Sequence, residues 1–364
     1  MITVPHRVTV IPGDGTGPEL TTATLRVLVA SGAEFEWDVQ QVGLASAAGP
    51  LGIALPEDVL ESIRQRGVAM KGPVSTAAGT GFRSVNVELR RALDLFAQVR
   101  PCRSFPGVQR ARPDVDVIVI RETTEDLYAG VEYEAGSTHG RALLDWLAAH
   151  DQRPLAADSA LSIKPISARA TRRIFEFAFE YARQQGRQKV TAVHKATVMK
   201  FTDGLFLHTA AEVANGNPDI EFDDCAVDTL ALRLVRQPED FDILVAPNLY
   251  GDILSDLAAA LVGGVGLAPG ANYGERAALF EAAHGSAPKY AGKNKANPMA
   301  MMLSGVMMLR HLGETDAADR LDAAIAALIA EGEQLTYDLK PEGDPTAVGT
   351  NEVADAIVAR LTHG

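Results

Sequence analysis

Apolar residues occur in short continuous runs that alternate along the chain with longer, periodically apolar segments. The runs lie at 7–11, 68–71, 115–120 and 241–247. Short runs of this kind are typical of strands buried on both faces, as in a sheet covered by helices. The pattern therefore predicts several strands of such a sheet.

The segments between these runs carry helical signals. The first run is followed by a predicted helix at 18–30. Ser167 can cap a later amphipathic helix, and Gly186 suits its end. A further apolar stripe predicts a helix at 315–331, with Gly332 beyond it. Strands alternating with helices predict an α/β fold.

Composition and charge narrow the class of protein. The chain has 364 residues, of which 47% are apolar and 22% charged, and its net charge is -13. It is globular, with length for about two or three domains, and a nucleic-acid partner is disfavoured. No apolar run reaches the ~18 residues of a membrane span. Cys102 and Cys225 form no disulfide framework. Without a recognisable secretory signal, we expect a cytoplasmic location.

A glycine-rich turn follows the first predicted strand. The motif PGDGTG has the spacing G-x-G-x-G, which differs from the G-x-G-x-x-G of classical dinucleotide folds. We interpret it as a tight strand-to-helix turn. A dinucleotide must therefore bind by another arrangement, or not at all.

Several arginines suggest recognition of a polycarboxylate. Ser84, Asn86 and Arg90 lie close together at the start of a predicted helix, and Arg100 and Arg121 follow. Each guanidinium can bind one carboxylate through two parallel hydrogen bonds. Taken singly, each arginine fits a solvated surface position at least as well.

A second group of residues suits metal binding and proton transfer. Asp252 and Asp256 are spaced i, i+4 and share a helix face in an apolar setting, with Asp228 upstream. Carboxylates alone suit Mg²⁺ or Mn²⁺. Lys195 follows an apolar strand and Tyr128 lies in RETTEDLYAG. Both can transfer protons if their pKa values are lowered, and a nearby metal and lysine would lower that of the tyrosine.

Together these segments resemble the isocitrate and isopropylmalate dehydrogenase family of β-decarboxylating enzymes. The resemblance covers nearly the whole chain. It is strongest in KGPVSTAAGTGFRSVNVELRRALDLFAQVRP, IRETTEDLYAGVE, VHKATVMKFTDGLF, PNLYGDILSDL and FEAAHGSAPKYAGKNKANP. It implies two α/β domains with a cleft between them and a non-Rossmann dinucleotide site. The implied boundaries are 1–95 with 263–364 for a large cofactor domain, 96–125 with 168–262 for a small dimerisation domain, and 126–167 for a clasp-like insertion.

The resemblance also implies the substrate. Arg90, Arg100 and Arg121 would bind the malate part, and Ser84 and Asn86 would recognise a third carboxylate. The expected reaction is oxidative decarboxylation of isocitrate to 2-oxoglutarate. An isopropyl group would leave the hydroxyl and amide without partners. Homoisocitrate is one methylene longer, a difference worth roughly 1–3 kcal/mol, and stays an alternative.

Catalysis would be shared between two subunits of a homodimer. Asp252 and Asp256 would bind Mg²⁺ or Mn²⁺ with Asp228 of the neighbouring subunit. Lys195, also from the neighbour, would help to remove the hydroxyl proton, and Tyr128 would protonate the enolate left by CO₂. A non-catalytic regulatory subunit is an alternative, but relatives of that kind lose these residues, which are all present here.

The implied cofactor is NADP, with NAD as the alternative. The predicted cofactor residues are Thr76, His284, Gly285, Lys289, Tyr290, Asn297 and Tyr337. A lysine at 289 and tyrosines at 290 and 337 match NADP-preferring relatives, where a point charge suits the 2′-phosphate. Pro341 stands where those relatives have an arginine, and Lys340 is adjacent. Elsewhere the chain is close to the catalytic subunit of NAD-dependent relatives.

Overall fold

The computed structural model describes residues 4–43, 55–75, 84–150 and 155–363. The strands are β1 (His6–Ile11), β2 (Phe35–Val39), β3 (Val68–Lys71), β4 (Ala97–Arg103), β5 (Asp116–Glu122), β6 (Glu132–Tyr133), β7 (Leu161–Ser162), β8 (Lys189–His194), β9 (Glu221–Ala226), β10 (Ile243–Ala246), β11 (Pro269–Tyr273) and β12 (Ala278–Ala282). The α-helices are α1 (Gly17–Ala30), α2 (Glu57–Arg66), α3 (Val85–Ala92), α4 (Thr138–His150), α5 (Ala168–Gln185), α6 (Thr202–Asn215), α7 (Val227–Arg236), α8 (Asn248–Leu261), α9 (Met299–His311), α10 (Thr315–Glu331) and α11 (Thr350–His363).

The local signals in the sequence act where they were expected. The Ser167 hydroxyl accepts the Ala170 N–H at the start of α5, and Gly186 ends that helix with a φ of 65°. Gly332 ends α10 with a φ of 73°. Left-handed backbone is open to glycine because it has no Cβ. The predicted strands and helices are confirmed. Within the predicted clasp-like segment 126–167, the described residues form α4 and the short antiparallel pair β6–β7.

Ten strands form one sheet in the order β2-β1-β3-β12-β11-β4-β5-β10-β8-β9. Both outer parts are parallel, whereas β11 pairs antiparallel with β12 and with β4, and β4 pairs antiparallel with β5. The two parallel parts therefore run in opposite directions and meet at an antiparallel centre. This mixed sheet is the α/β architecture that the sequence predicts.

Side-chain alternation gives the central strands two distinct faces. We call the face of Cys102, Val117 and Val119 the front face, and helix α8 packs on it through Leu254 and Ala258. Arg100 and Arg121 have the same parity as these residues on β4 and β5, so they also point to the front. Ile118 and Ile120 point to the back and pack against α5.

The apolar core divides into separate clusters along the sheet. One cluster joins α1, α9, α10 and α11 to the β3–β12 part of the sheet. Another joins α5 and α6 to β5, β8 and β10. Phe105 and Val108, which follow β4, pack into the first cluster. Among the described residues, no helix is both long and apolar enough to cross a bilayer.

Candidate active site

Two of the predicted substrate arginines lie on the front face of the central strands. The side chains of Arg100 and Arg121 are only 9% and 2% exposed. Arg100 donates to the Ser255 hydroxyl at 2.6 Å and to Asp256 at 3.2 Å. The buried Nε of Arg100 has no hydrogen-bond partner. Because a buried donor without a partner is costly, this atom is suited to bind an acceptor from a ligand.

Arg121 is fixed by amides and a carboxylate. Asn248 accepts from its Nε at 2.9 Å and from its Nη2 at 2.7 Å, and Gln98 accepts at 3.2 Å. Arg121 also donates to Asp252. Gly251 lies against the arginine, since a Cβ there would stand 2.7 Å from Arg121 Cβ. The glycine therefore lets the first turn of α8 approach β5 closely.

Tyr128 and Asp252 form the chemical centre of this cluster. The Tyr128 hydroxyl donates to Asp252, and the Arg121 guanidinium stacks 4.7 Å from the tyrosine ring. Burial and the bond to Asp252 raise the pKa of Tyr128, and Arg121 only partly opposes them. The lowered pKa predicted from the sequence depends on a nearby metal and lysine, and it stays a prediction. In one chain the phenol holds its proton more strongly than a free tyrosine does.

The carboxylate of Asp252 is held ionised. Burial alone would raise its pKa, but the charge of Arg121, the bond from Tyr128 and the charge of Arg100 bring the pKa below its ordinary value. Asp256 lies one turn further along α8, and its side chain is 64% exposed. Two neighbouring carboxylates supply only oxygen donors, which fit a hard divalent cation.

Arg90 belongs to a buried polar network that sequence reasoning missed. Its guanidinium donates to Asn272 and to Glu281, each at 2.9 Å. Glu281 also pairs with Lys71 at 2.7 Å, and both side chains are almost fully buried. The available signal was charged or amide residues within the apolar strands β3, β11 and β12. An ion is buried at such a position only if partners hold it.

Ser84 and Asn86 begin helix α3 near Arg90. Both are half-buried. The Asn86 Oδ1 atom is buried and makes no hydrogen bond. This oxygen is therefore a second polar atom whose partner is still to be supplied.

Lys195 and Asp228 form a separate pair. The Lys195 ammonium donates to Asp228 at 2.6 Å, and the two side chains are 27% and 66% exposed. The charge-assisted bond lowers the pKa of Asp228. Within the described ranges, no bond joins this pair to Tyr128 or Asp252, and no three acidic, histidine or cysteine side chains come together as a metal cluster. Asp228 therefore does not meet Asp252 and Asp256 within one chain.

Two of the predicted cofactor residues, both tyrosines, lie at a second region. Tyr290 and Tyr337 have ring centroids 5.6 Å apart, and they border a depression of about 790 Å³. Lys289 lies 4.8 Å from the Tyr290 ring and Lys295 lies 4.6 Å from the Tyr337 ring. Asn297, predicted to contact adenine, uses its amide to donate to Asp338 at 3.0 Å. Thr76 lies outside the described residues.

The glycine turn after β1 supports the loop that begins at His284 and Gly285. Gly13 and Gly15 have φ values of 79° and 59°. A Cβ at Gly15 would stand 2.2 Å from the carbonyl oxygen of Ser286, which accepts the Thr16 N–H at 2.9 Å. PGDGTG is therefore a tight strand-to-helix turn, as the sequence predicted, and the structure shows in addition that it packs on this loop.

Comparisons with known proteins agree with this geometry. The model of the isocitrate/isopropylmalate dehydrogenase family matches residues 7–357. A solved isocitrate dehydrogenase from Methylococcus capsulatus is 46% identical, with a TM-score of 0.89 over 98% of this chain and 99% of that chain. The TT0538 protein from Thermus thermophilus is 42% identical, with a TM-score of 0.88 over 98% of this chain and 68% of that one.

Curated relatives extend the comparison. A Drosophila melanogaster protein named probable isocitrate dehydrogenase (NAD) subunit alpha, mitochondrial, is 43% identical over 92% of this chain and 83% of its own length. An Arabidopsis thaliana protein named isocitrate dehydrogenase (NAD) catalytic subunit 5, mitochondrial, is 45% identical over 93% of this chain and 85% of its own. The mitochondrial names of these relatives contradict the cytoplasmic location expected from the sequence. That expectation was wrong because it rested only on the lack of a recognisable secretory signal, which does not distinguish the cytoplasm from an organelle. The extent of the matches shows that the chain belongs to the isocitrate/isopropylmalate dehydrogenase family.

Proposed function

We propose that the chain catalyses the oxidative decarboxylation of isocitrate with reduction of a nicotinamide dinucleotide. The observation that carries this proposal is the front-face cluster, in which Arg121 and the Tyr128 hydroxyl both donate to Asp252 and Arg100 donates to Asp256. Similar proteins from several organisms are named as isocitrate dehydrogenases, and these names support the same reaction.

The arginines and the residues of α3 account for recognition of three carboxylates. The free Nε of Arg100, the half-buried Arg90 and the buried Arg121 offer donors to the malate part. Ser84 and Asn86 lie at the start of α3, where the Ser84 hydroxyl and the Asn86 amide N–H could donate to a third carboxylate, which only accepts hydrogen bonds. An isopropyl group could accept neither bond, at a cost of about 1–3 kcal/mol. This disfavours isopropylmalate.

Each titratable residue has a role that its surroundings support. Tyr128 donates its proton to the carbanion centre that decarboxylation leaves. Lys195, as the neutral amine left after loss of its own proton, would help to take up the proton of the substrate hydroxyl. Asp252 and Asp256, with Asp228 from a second copy, would hold Mg²⁺ or Mn²⁺. A bound divalent cation would stabilise negative charge on the substrate oxygen during the loss of CO₂.

A second copy of this chain would complete the site. In the described part of one chain, no hydrogen bond joins the side chains of Lys195 and Asp228 to Tyr128 or Asp252, and large apolar side chains are exposed close to these residues in the sequence. Val198 is 69% exposed, Phe201 91%, Leu232 58% and Ile253 61%. An exposed apolar patch of this kind is typical of an interface, and a two-fold dimer would exchange the two residue sets reciprocally.

We further propose that the site lies between two domains. The arginines come from both sides of the antiparallel centre, and the apolar clusters on the two sides are separate. We therefore retain the division into 1–95 with 263–364, 96–125 with 168–262, and a clasp at 126–167.

NAD is the better-supported cofactor, since the curated relatives are named as NAD enzymes. This replaces NADP, which the sequence resemblance favoured. NADP stays a second candidate because of Lys289 and Lys295 beside Tyr290 and Tyr337. The lysine charges would attract a 2′-phosphate.

Steady-state kinetics test the proposal. The purified chain is assayed alone with isocitrate, homoisocitrate and isopropylmalate, each with NAD and NADP, in the presence of Mg²⁺ or Mn²⁺ and after chelation. We expect the highest kcat/KM with isocitrate and NAD, and loss of turnover on chelation. A higher kcat/KM for another substrate, or turnover that survives chelation, would refute the proposal. Inactivity of the chain alone would indicate a regulatory subunit.

A further inference from the structure

A buried carboxylate, Asp203, links the backbone of Lys195 to the region that carries Tyr128 and Asp252. Asp203 lies in the first turn of α6 and is fully buried. Its Oδ2 accepts the Lys195 backbone N–H at 2.8 Å and the Tyr250 hydroxyl at 3.2 Å. Its Oδ1 accepts from the Lys164 ammonium at 2.6 Å.

A buried ion is stable only with partners, and the Asp203 carboxylate has a hydrogen-bond partner on each oxygen. Lys164 is 13% exposed and also lies 3.9 Å from Asp126, which is itself buried. The Lys164 ammonium stacks 4.5 Å from the Tyr250 ring. Removal of one partner from such a group is strongly unfavourable, so the geometry around Asp203 is tightly fixed.

The Lys195 loop depends on this carboxylate more than helix α8 does. The Lys195 carbonyl turns inward to accept from Val198 and Met199, while its N–H bonds only to Asp203. Helix α8 has anchors of its own, because Asp126 accepts the Leu249 N–H at 2.8 Å and Asn248 binds Arg121. Loss of Asp203 should therefore displace Lys195 before it displaces Asp252.

We infer that Asp203 is a positioning residue that fixes Lys195 for the active site of the neighbouring subunit. This rests on the proposed shared site. Val198 and Phe201 lie between Lys195 and Asp203 and are the exposed apolar residues of that loop. The hydrogen bond from Lys195 to Asp203 thus holds the base at the edge of a surface that a second copy would cover. A displacement of about 1 Å at such a group costs about 10²-fold in rate.

Hybrid dimers test the inference. One subunit carries Lys195→Met and keeps Asp252, and the other carries Asp252→Ala and keeps Lys195. Each variant alone is expected to be inactive, whereas the tagged and purified hybrid has one complete site. The substitution Asp203→Asn is then added to either subunit, with Asp219→Asn as a matched control at an exposed position that pairs with Arg183.

The inference is tested by which subunit must carry the substitution for kcat to fall. Asp203→Asn in the subunit that supplies Lys195 should lower kcat by about 10²-fold, with little change in the KM for isocitrate. The same change in the other subunit, and Asp219→Asn in either, should leave kcat within about twofold. Equal losses from both subunits, or no loss from either, would overturn the inference.

Two further measurements distinguish failure of the proposed shared site from failure of the inference about Asp203. An inactive parent hybrid would overturn the shared site of the proposed function, and the inference with it. If Asp203→Asn prevents folding, as thermal unfolding would reveal, Asp203→Glu is used in its place, because it keeps the charge beside Lys164 and shifts the carboxylate by one methylene. Asp203→Glu should lower kcat only when it is in the subunit that supplies Lys195. An unchanged kcat would refute the inference that Asp203 positions Lys195.

Discussion

The ion pair between Lys71 and Glu281 offers the sharpest test of the network behind Arg90. Lys71 is 1% exposed and Glu281 is 6% exposed. The Glu281 carboxylate accepts from Lys71 at 2.7 Å, and from Arg90 and Asn272 at 2.9 Å each. The substitution Glu281→Gln removes the negative charge and leaves the lysine buried without it. The expected loss in the free energy of unfolding is about 3–5 kcal/mol.

The same pair predicts a dependence on pH. Burial alone would raise the pKa of Glu281, but the charges of Lys71 and Arg90 and the bonds from Lys71 and Asn272 hold it well below its ordinary value of 4.5. A carboxyl whose pKa is lower in the folded state stabilises the protein above its unfolded pKa, and that stabilisation is lost as pH falls toward the folded pKa. The difference between wild type and Glu281→Gln should therefore shrink below pH 4.5.

Both the loss in the free energy of unfolding and its dependence on pH can be measured by urea unfolding from pH 7 to pH 3. Unfolding is followed by circular dichroism at fixed protein concentration. Glu36→Gln is the matched control, because Glu36 pairs with Arg7 at an exposed position and its loss should cost less than about 1 kcal/mol. Adding Lys71→Met to Glu281→Gln should recover part of the loss, since no uncompensated lysine remains. A loss with Glu281→Gln no larger than that of the control would refute the reasoning.

Three other predictions concern the packing, the thiols and the cofactor. Gly251→Ala would place a methyl group 2.7 Å from Arg121 Cβ. The value of kcat/KM for isocitrate should therefore fall at least about tenfold, with the protein still folded. Unchanged kinetics would contradict the close approach of α8 to Arg121. Burial raises the pKa of Cys102 to about 12, so this thiol should react with a disulfide reagent at pH 8 only after unfolding in urea, and rapid labelling of the native protein would count against it. Lys289→Asp should reduce kcat/KM for NADP far more than kcat/KM for NAD. The control Lys293→Asp, which is the same change in the same loop, should affect kcat/KM for the two cofactors alike. Equal losses from Lys289→Asp would exclude a role for this lysine at the 2′-phosphate.

The sequence predicted the elements and the chemistry where the signal is local. The Ser167 cap, the glycines at 186 and 332 and the apolar strands depend on neighbouring residues, so they could be inferred without tertiary contacts. The family motifs supplied the site residues. Of the predicted groups, the structure brings Arg100, Arg121, Tyr128, Asp252 and Asp256 together on the front face.

The contacts between distant segments were decided only by the tertiary structure. Glu281 meets Lys71 and Arg90 from positions about two hundred residues apart, and Asp203 meets Lys164 and Tyr250. Nothing local marks these partners, because a buried charge is stabilised by whichever groups the fold brings within hydrogen-bonding distance. The pKa of Tyr128 in one chain likewise depends on burial and on the carboxylate of Asp252, which is 124 residues away in the sequence. The amino-acid sequence thus determined which residues are available for chemistry, and the packing of the sheet and α8 determined their charges and partners.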